Sequence, residues 1–222
     1  MRIVKLEYIP LEAELEEPLV LSIGKIKKRP FAIVKIETDE GIVGYGEAFT
    51  NFPPWSIYEK FYTFEKGIKP LILGEDPLKI EKIWWKIYKA LYRWGLVWGK
   101  GAIMQALSAV DIALWDIKGK VLGEPIYELL GGLQRKEIPL YATGLSVKDP
   151  VKDAKRLVAE GYRALKLRVG FGEEIDVAMV ESVRKSVKRD VWIMVDANMA
   201  VSYTHLRAHE TEADLVCRLL LE

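Results

Sequence analysis

The 222-residue sequence predicts an α+β domain followed by a run of parallel βα units. Residues 1 to about 50 alternate apolar and polar side chains as strands do, and from Trp55 the apolar spacing changes to i, i+3, i+4. Beyond Gly131-Gly132, short apolar strands take turns with amphipathic helices.

In the first part, Arg2–Leu11, Phe31–Thr38 and Ile42–Phe49 read as strands, with Asp39-Glu40-Gly41 as the turn between the last two. Trp55–Lys66, Pro77–Leu91 and Ala102–Leu122 read as helices. The stripe Trp84, Trp85, Tyr88, Leu91 and Tyr92 along the second is read as core rather than as a cofactor surface. In the second part, Glu137–Thr143, Ala164–Val169 and Val191–Asp196 are predicted strands, and Asp149–Glu160 and Glu173–Lys188 predicted helices. Asp149-Pro150 has the chemistry of an N-cap and first helical position, and Gly161 that of a C-terminal cap. Such alternation implies a parallel sheet, either barrel or doubly wound, and three βα units cannot close a barrel.

The pairs Lys166-x-Arg168 and Asp196-x-Asn198 close the second and third predicted strands. Strand alternation sends Lys166 and Arg168 to one face and Leu165, Leu167 and Val169 to the other. A cation inside an apolar strand requires an anionic partner, and the carboxyl ends of parallel strands are where such sheets do chemistry.

Both histidines, His205 and His209, and the sole cysteine, Cys217, fall after Ala200. Val201–Thr211 and Leu215–Glu222 resemble translated pieces of the transposon adapter used to prepare sequencing libraries, so 201–222 is expected to be a non-native tail. The i, i+4 histidine pair then carries no metal reading, and a chain without cysteine has no disulfide framework or thiolate site. Without the tail, 31 basic residues face 28 acidic ones, too mild an excess to argue for nucleic acid. No apolar run approaches a membrane span, and Met1–Tyr8 lacks the apolar stretch of a secretory signal, so a cytoplasmic location is expected.

Ala106-Leu-Ser-Ala-Val-Asp111-Ile-Ala113-Leu-Trp-Asp116-Ile-Lys-Gly119-Lys120, with Pro125-Ile126 and Leu129-Leu130-Gly131-Gly132, is similar to the signature of the mandelate racemase and muconate lactonizing enzyme family of the enolase superfamily. The likeness takes in Gly44-Tyr45-Gly46-Glu47-Ala48 and the strands of Lys166 and Asp196, and so covers essentially Met1–Ala200. It implies an α+β capping domain over 1–132, and over 133–200 the first three βα units of a (β/α)₇β TIM-like barrel, truncated. Asp111 and Asp116 are expected to be helix-packing carboxylates served by neighbouring donors.

The activity implied by the resemblance is abstraction of the proton α to a carboxylate, with Mg²⁺ and a lysine stabilising the enediolate. Asp196 is implied as the first of three carboxylate ligands, the other two lying on later strands. Lys166 is implied to neutralise charge on the substrate, and Asn198 to orient a ligand or the substrate carboxylate. Many relatives carry a second lysine as base where this chain has Arg168; guanidinium stays protonated and clamps oxyanions, so Arg168 is a poor base. That departure favours dehydration of an acid sugar, by a base on a later strand, over racemisation, epimerisation or muconate-type cycloisomerisation. Two cap loops, Leu19–Arg29 and Phe49–Trp55, are expected to choose the substrate, with Lys25 and Trp55 as contacts and Phe52 beside Trp55 as a shield against water. The parent is expected to be a homo-oligomer acting on a small carboxylate, with no nucleic-acid or membrane partner. Against this stands a reading of another class: lacking two ligands and the opposing base, the chain as given is an inactive fragment.

Overall fold

The computed structural model describes residues 1–21, 24–50, 55–98, 100–145 and 147–197. Two compact units emerge: Met1–Glu17 with Lys27–Lys136, and Pro18–Ile26 with the chain from Glu137 onward. No helix among the described residues is long and apolar enough to cross a membrane.

A three-stranded sheet has the order β1 (Ile3–Leu21), β2 (Gly24–Thr38), β3 (Val43–Ala48), and all of it except the part of β1 and β2 within Pro18–Ile26 belongs to the first unit. The β2–β3 pairing is antiparallel, with Val34 opposite Gly46 and Ile36 opposite Gly44. The predicted turn closes it: the Gly41 amide donates to the Thr38 carbonyl at 3.0 Å, and Thr38 and Ile42 are bonded in both directions. Helices follow: α1 (Ser56–Tyr62), a π-helical turn at Thr63–Ile68, α2 (Lys69–Ile72), α3 (Ile80–Trp98), α4 (Lys100–Leu122) and α5 (Ile126–Leu129). Ala106, Ala109, Val110, Ala113, Leu114 and Ile117 form the buried stripe of α4. They join Leu6, Val34, Ile36, Ile83 and Ile87 in one core. Gly44 and Gly46 allow this packing. A Cβ on Gly46 would overlap the Ala109 carbonyl oxygen, and one on Gly44 the Ala113 carbonyl oxygen. The G-x-G strand and the alanine face of α4 thus fit backbone against backbone.

Trp84, Tyr88 and Leu91 of the aromatic stripe pack against this core, whereas Trp85 remains 45% exposed. Tyr8 is buried, stacks on Phe64 with centroids 5.1 Å apart and donates to the Ile57 carbonyl at 2.6 Å; burial lifts its phenol pKa to about 12.

The second unit holds a parallel sheet in the order β4 (Ala142–Thr143), β5 (Ala164–Arg168), β6 (Trp192–Asp196), with α6 (Pro150–Ala159) and α7 (Glu173–Ser186) as crossovers. The predicted caps form: the Asp149 carboxylate accepts from the Lys152 amide at 3.1 Å, and Gly161 ends α6 at φ +105°. Leu165 and Leu167 are buried with Ala154 of α6 and Met179 and Val183 of α7. Arg184, in the last turn of α7, donates to the Val187, Lys188 and Val191 carbonyls and so fixes the entry to β6.

Two expectations are corrected. The segment read as a cap loop, Leu19–Arg29, is largely strand: β1 runs through Leu21 and β2 starts at Gly24, which puts Lys25 on a strand. Residues Leu11–Glu14 and Lys27–Arg29 are exposed throughout, so these strands have no buried face to impose alternation, and Lys28 pairs with Glu14 at 3.3 Å. The strand expected over Glu137–Thr143 contracts to Ala142–Thr143, because Ile138 and Leu140 are over 70% exposed and only the last two residues pair with β5.

Candidate active site

The second unit's sheet brings three of the expected residues together. The parallel register sets Thr143 beside Lys166, Lys166 beside Met194, and Arg168 beside Asp196. Leu165 and Leu167 are buried toward the helices while Lys166 and Arg168 are half-buried on the opposite face. Lys166 and Asp196 meet there in an ion pair, Nζ to Oδ2, at 2.9 Å. The side chains retain 26% and 35% exposure, so the pair is reachable from solvent. The hydrogen bond from Lys166 to Asp196 holds the lysine pKa above its ordinary value, against a smaller opposing effect of burial. An ammonium held in this way contributes positive charge to a ligand; it does not accept a proton at neutral pH.

Two features are absent from the sequence-based list. Tyr141, just before β4, lies with its ring centroid 5.4 Å from Lys166 Nζ. Asp176, in the first turn of α7, accepts from the amides of Gly170 and Phe171 at 2.8 and 3.2 Å and braces the loop leaving β5 directly after Arg168. The alternation of β4 could have marked Tyr141 as facing the same way as Lys166; an acidic residue in a first helical turn was the available sign for Asp176.

Lys25 is exposed on β2. Trp55 is 60% exposed at the turn before α1, where its carbonyl accepts from the Tyr58 amide at 3.0 Å. Asn198, Phe52 and the whole of 201–222 lie outside the described residues. Among the described residues no three His, Cys, Asp or Glu side chains gather into a possible metal cluster. Asp196 by itself offers the hard oxygen donor that Mg²⁺ takes.

In the first unit, Asp116 behaves as a packing carboxylate: it accepts from the Tyr45 amide at 2.9 Å and from Lys120 at 2.7 Å, and Lys120 also reaches the Val43 carbonyl. The signature helix is thereby tied to the G-x-G strand.

Residues 5–131 match the family model of the mandelate racemase/muconate lactonizing enzyme N-terminal domain, and residues 149–217 match the enolase C-terminal domain-like model, a range that runs into the segment from Val201. The chain belongs to the mandelate racemase/muconate lactonizing enzyme family of the enolase superfamily. It is 35% identical over 203 residues to the N-succinyl-L-Arg/Lys racemase of Bacillus cereus, an alignment covering 89% of this chain and 52% of that protein. Arabinonate dehydratase of Saccharolobus solfataricus is 37% identical over 198 residues, covering 85% of this chain and 51% of the dehydratase. The crystal structure of a racemase from Streptomyces coelicolor A3(2) with bound magnesium superposes with a TM-score of 0.81 at 32% identity, over 90% of this chain and 56% of that one. The chain spans about half the length of the curated relatives it matches. This family has the capping-domain and barrel architecture, and the first unit carries its N-terminal capping domain.

Proposed function

We propose that the chain is the N-terminal half of a Mg²⁺-dependent enzyme that removes the proton α to a carboxylate, acting as an acid-sugar dehydratase. The observation that carries this reading is the Lys166–Asp196 pair at the end of a parallel sheet, with Arg168 on the same face. Lys166 donates to a substrate oxygen as the enediolate forms, and the Arg168 guanidinium clamps an oxyanion through paired N–H groups. Neither cation serves as base, so the base comes from beyond residue 197. Asp196 would be one ligand of the Mg²⁺, with the others and the amide of Asn198 contributed outside the described residues. Bound there, the ion supplies positive charge to the developing enediolate. Lys25 and Trp55 are proposed as substrate contacts, 1–132 as the cap, 133–200 as the opening three βα units of the barrel, and 201–222 as non-native. The parent is proposed to be a cytoplasmic homo-oligomer, and the 222-residue chain alone to have no turnover.

Likeness to a racemase as well as to a dehydratase makes racemisation or epimerisation the second reading. Deuterated water separates them. The full-length parent, recovered by reading the source gene past Ala200, is expected to exchange or eliminate the α-proton of one stereoisomer only, and Arg168→Lys to begin exchanging the other. Efficient exchange of both isomers by the unaltered enzyme overturns the dehydratase reading, and a gene lacking two further strand-end acidic residues overturns the Mg²⁺ reading altogether.

A further inference from the structure

Asp111 is a charge without a counter-charge. It stands with Trp115 and Lys118 at i, i+4 and i+7 along α4, and all three line a groove of about 450 Å³ beside the start of α3. The carboxylate is half-buried, and among the described residues no hydrogen-bond donor or cation meets it. Burial alone is the cause of its raised pKa. Asp116, on the same helix, has by contrast both a backbone amide and Lys120. Two lysines of the groove are engaged elsewhere: Lys82 lies 2.8 Å from Glu75, and Lys118 sits over the Trp115 ring, 4.9 Å from Nζ to centroid.

A partly desolvated carboxylate left unpaired is destabilising, and a cationic donor removes the penalty. The groove beside Asp111 is open, with the indoles of Trp84 and Trp115 in its lining. That combination suits a guanidinium, whose N–H groups pair in plane with the two carboxylate oxygens while its face rests on an aromatic ring. A lysine ammonium, a strongly hydrated point charge, gains less there. The other charges of the groove narrow the source. Lys79, Lys82 and Lys118 outnumber Glu81, so a free cation is repelled as it approaches. A tethered one arrives at high effective concentration and needs no attraction from a distance. The chain spans about half the length of the relatives it matches, so a parent of their size has about as much chain again from which to supply it. We propose that an arginine from the part of the parent beyond residue 197 seats its guanidinium on Asp111 in the groove of Trp84 and Trp115, and so fastens the second half of the parent to α4. The inference rests on the reading of the chain as half of a longer protein, and not on the roles given to Lys166, Arg168 and Asp196.

One substitution in two contexts tests it. At pH 7, Asp111→Asn is expected to raise Tm by about 2 °C in the 222-residue chain, where it removes an unpaired charge, and to lower Tm by about 2 °C or more in the full-length parent, where it leaves the guanidinium buried without its partner. A second measurement needs no variant to fold. The unaltered chain and parent are labelled at their carboxyl groups with a carbodiimide and glycine ethyl ester, and modification of Asp111 is read by mass spectrometry. Labelling of Asp111 is expected to be about tenfold slower in the parent than in the chain. A Tm that is unchanged or higher for Asp111→Asn in the parent overturns the proposal, even where labelling is slow, because the groove is then covered without a cation. A lower Tm for the variant in the 222-residue chain overturns it too, since the carboxylate then has its partner within that chain. So does equal labelling of chain and parent. Equal labelling that slows with added N-acetylargininamide, or with rising protein concentration, assigns the groove to a free ligand or to a second copy instead. A source gene with no continuation past Ala200 removes the half-chain reading itself, which all the other outcomes leave standing.

Discussion

Two carboxylates of the first unit sit in opposite electrostatic situations, and stability against pH should expose both. Glu75 accepts from Lys82 and Lys86 at 2.8 and 2.7 Å, and these bonds hold its pKa down at about 2. A depressed folded-state pKa gives stability that is present above the unfolded value near 4.5 and lost as pH falls toward 2. Asp111 is half-buried on a groove of about 450 Å³ beside Trp84 and Trp115, and burial raises its pKa. A raised carboxyl pKa gives stability only below the unfolded value, lost as pH rises through the folded one. Glu75→Gln is therefore expected to lower the urea midpoint at pH 7, with the deficit closing between pH 4.5 and 2. Asp111→Asn should raise Tm by about 2 °C at pH 7, and this gain should disappear below about pH 4. Equal midpoints for either variant at every pH would contradict the assignment for that residue. Much of the candidate site was legible at this scale. A lysine in an apolar strand demands a counter-charge, and the next strand ends in Asp196, which supplies it. Asp116 found the neighbouring donors expected of a packing carboxylate; Asp111, which reads identically in the sequence, has none among the described residues. Periodicity places a residue on a face of a helix. It does not say what lies opposite.

Between elements, the most specific fit is α4 on β3. The alanine face of α4 meets glycines, and this lets the Asp116 carboxylate reach the Tyr45 amide. Gly46→Ala inserts a methyl where the Ala109 carbonyl oxygen already sits, a clash with backbone that no side-chain rotation relieves. Overpacking of this kind costs about 1–3 kcal/mol or more. Gly46→Ala is expected to lower Tm well beyond Gly41→Ala, since Gly41 has open space around its Cβ position and pays only for backbone strain at φ +78°. Comparable melting of the two variants would mean that the close approach is not what stabilises the cap. Elements with a buried face were legible: α4, α6, α7 and β5 came within a few residues of their expected ends. The far parts of β1 and β2 were not, because pairing there is carried by backbone hydrogen bonds with exposed side chains, which leaves no period of two in the sequence; nor was β4, whose two residues, one buried and one exposed, are too few to show a period.

At the scale of the whole molecule, the two units differ in how far each can stabilise itself. Among the described residues, the first buries a core of twenty that includes twelve isoleucines, leucines and phenylalanine from four helices and the sheet, whereas the second buries eight. Within the second, among the described residues, β6 has a single strand neighbour, and Trp192 is 73% and Val195 56% exposed. Val177 and Val195 line an apolar groove of about 330 Å³ beside it. An unpaired edge next to exposed apolar side chains has little to lose on opening and is prone to associate. Hydrophobic stabilisation grows with buried apolar area, so the second unit should unfold first in urea. The chain carries its own reporters for this: six of its seven tryptophans lie between Trp55 and Trp115, and the seventh, Trp192, is already exposed. Tryptophan emission therefore follows the first unit, while far-UV circular dichroism follows both, through α6 and α7 as well as α1 to α5. The dichroism is expected to begin falling at a lower urea concentration than the emission, and limited proteolysis at that concentration should leave a resistant core ending near Lys136. Coincident transitions by the two probes, with protection extending to Asp196, would show that the chain unfolds as one cooperative body and that the parallel sheet is stable without further strands.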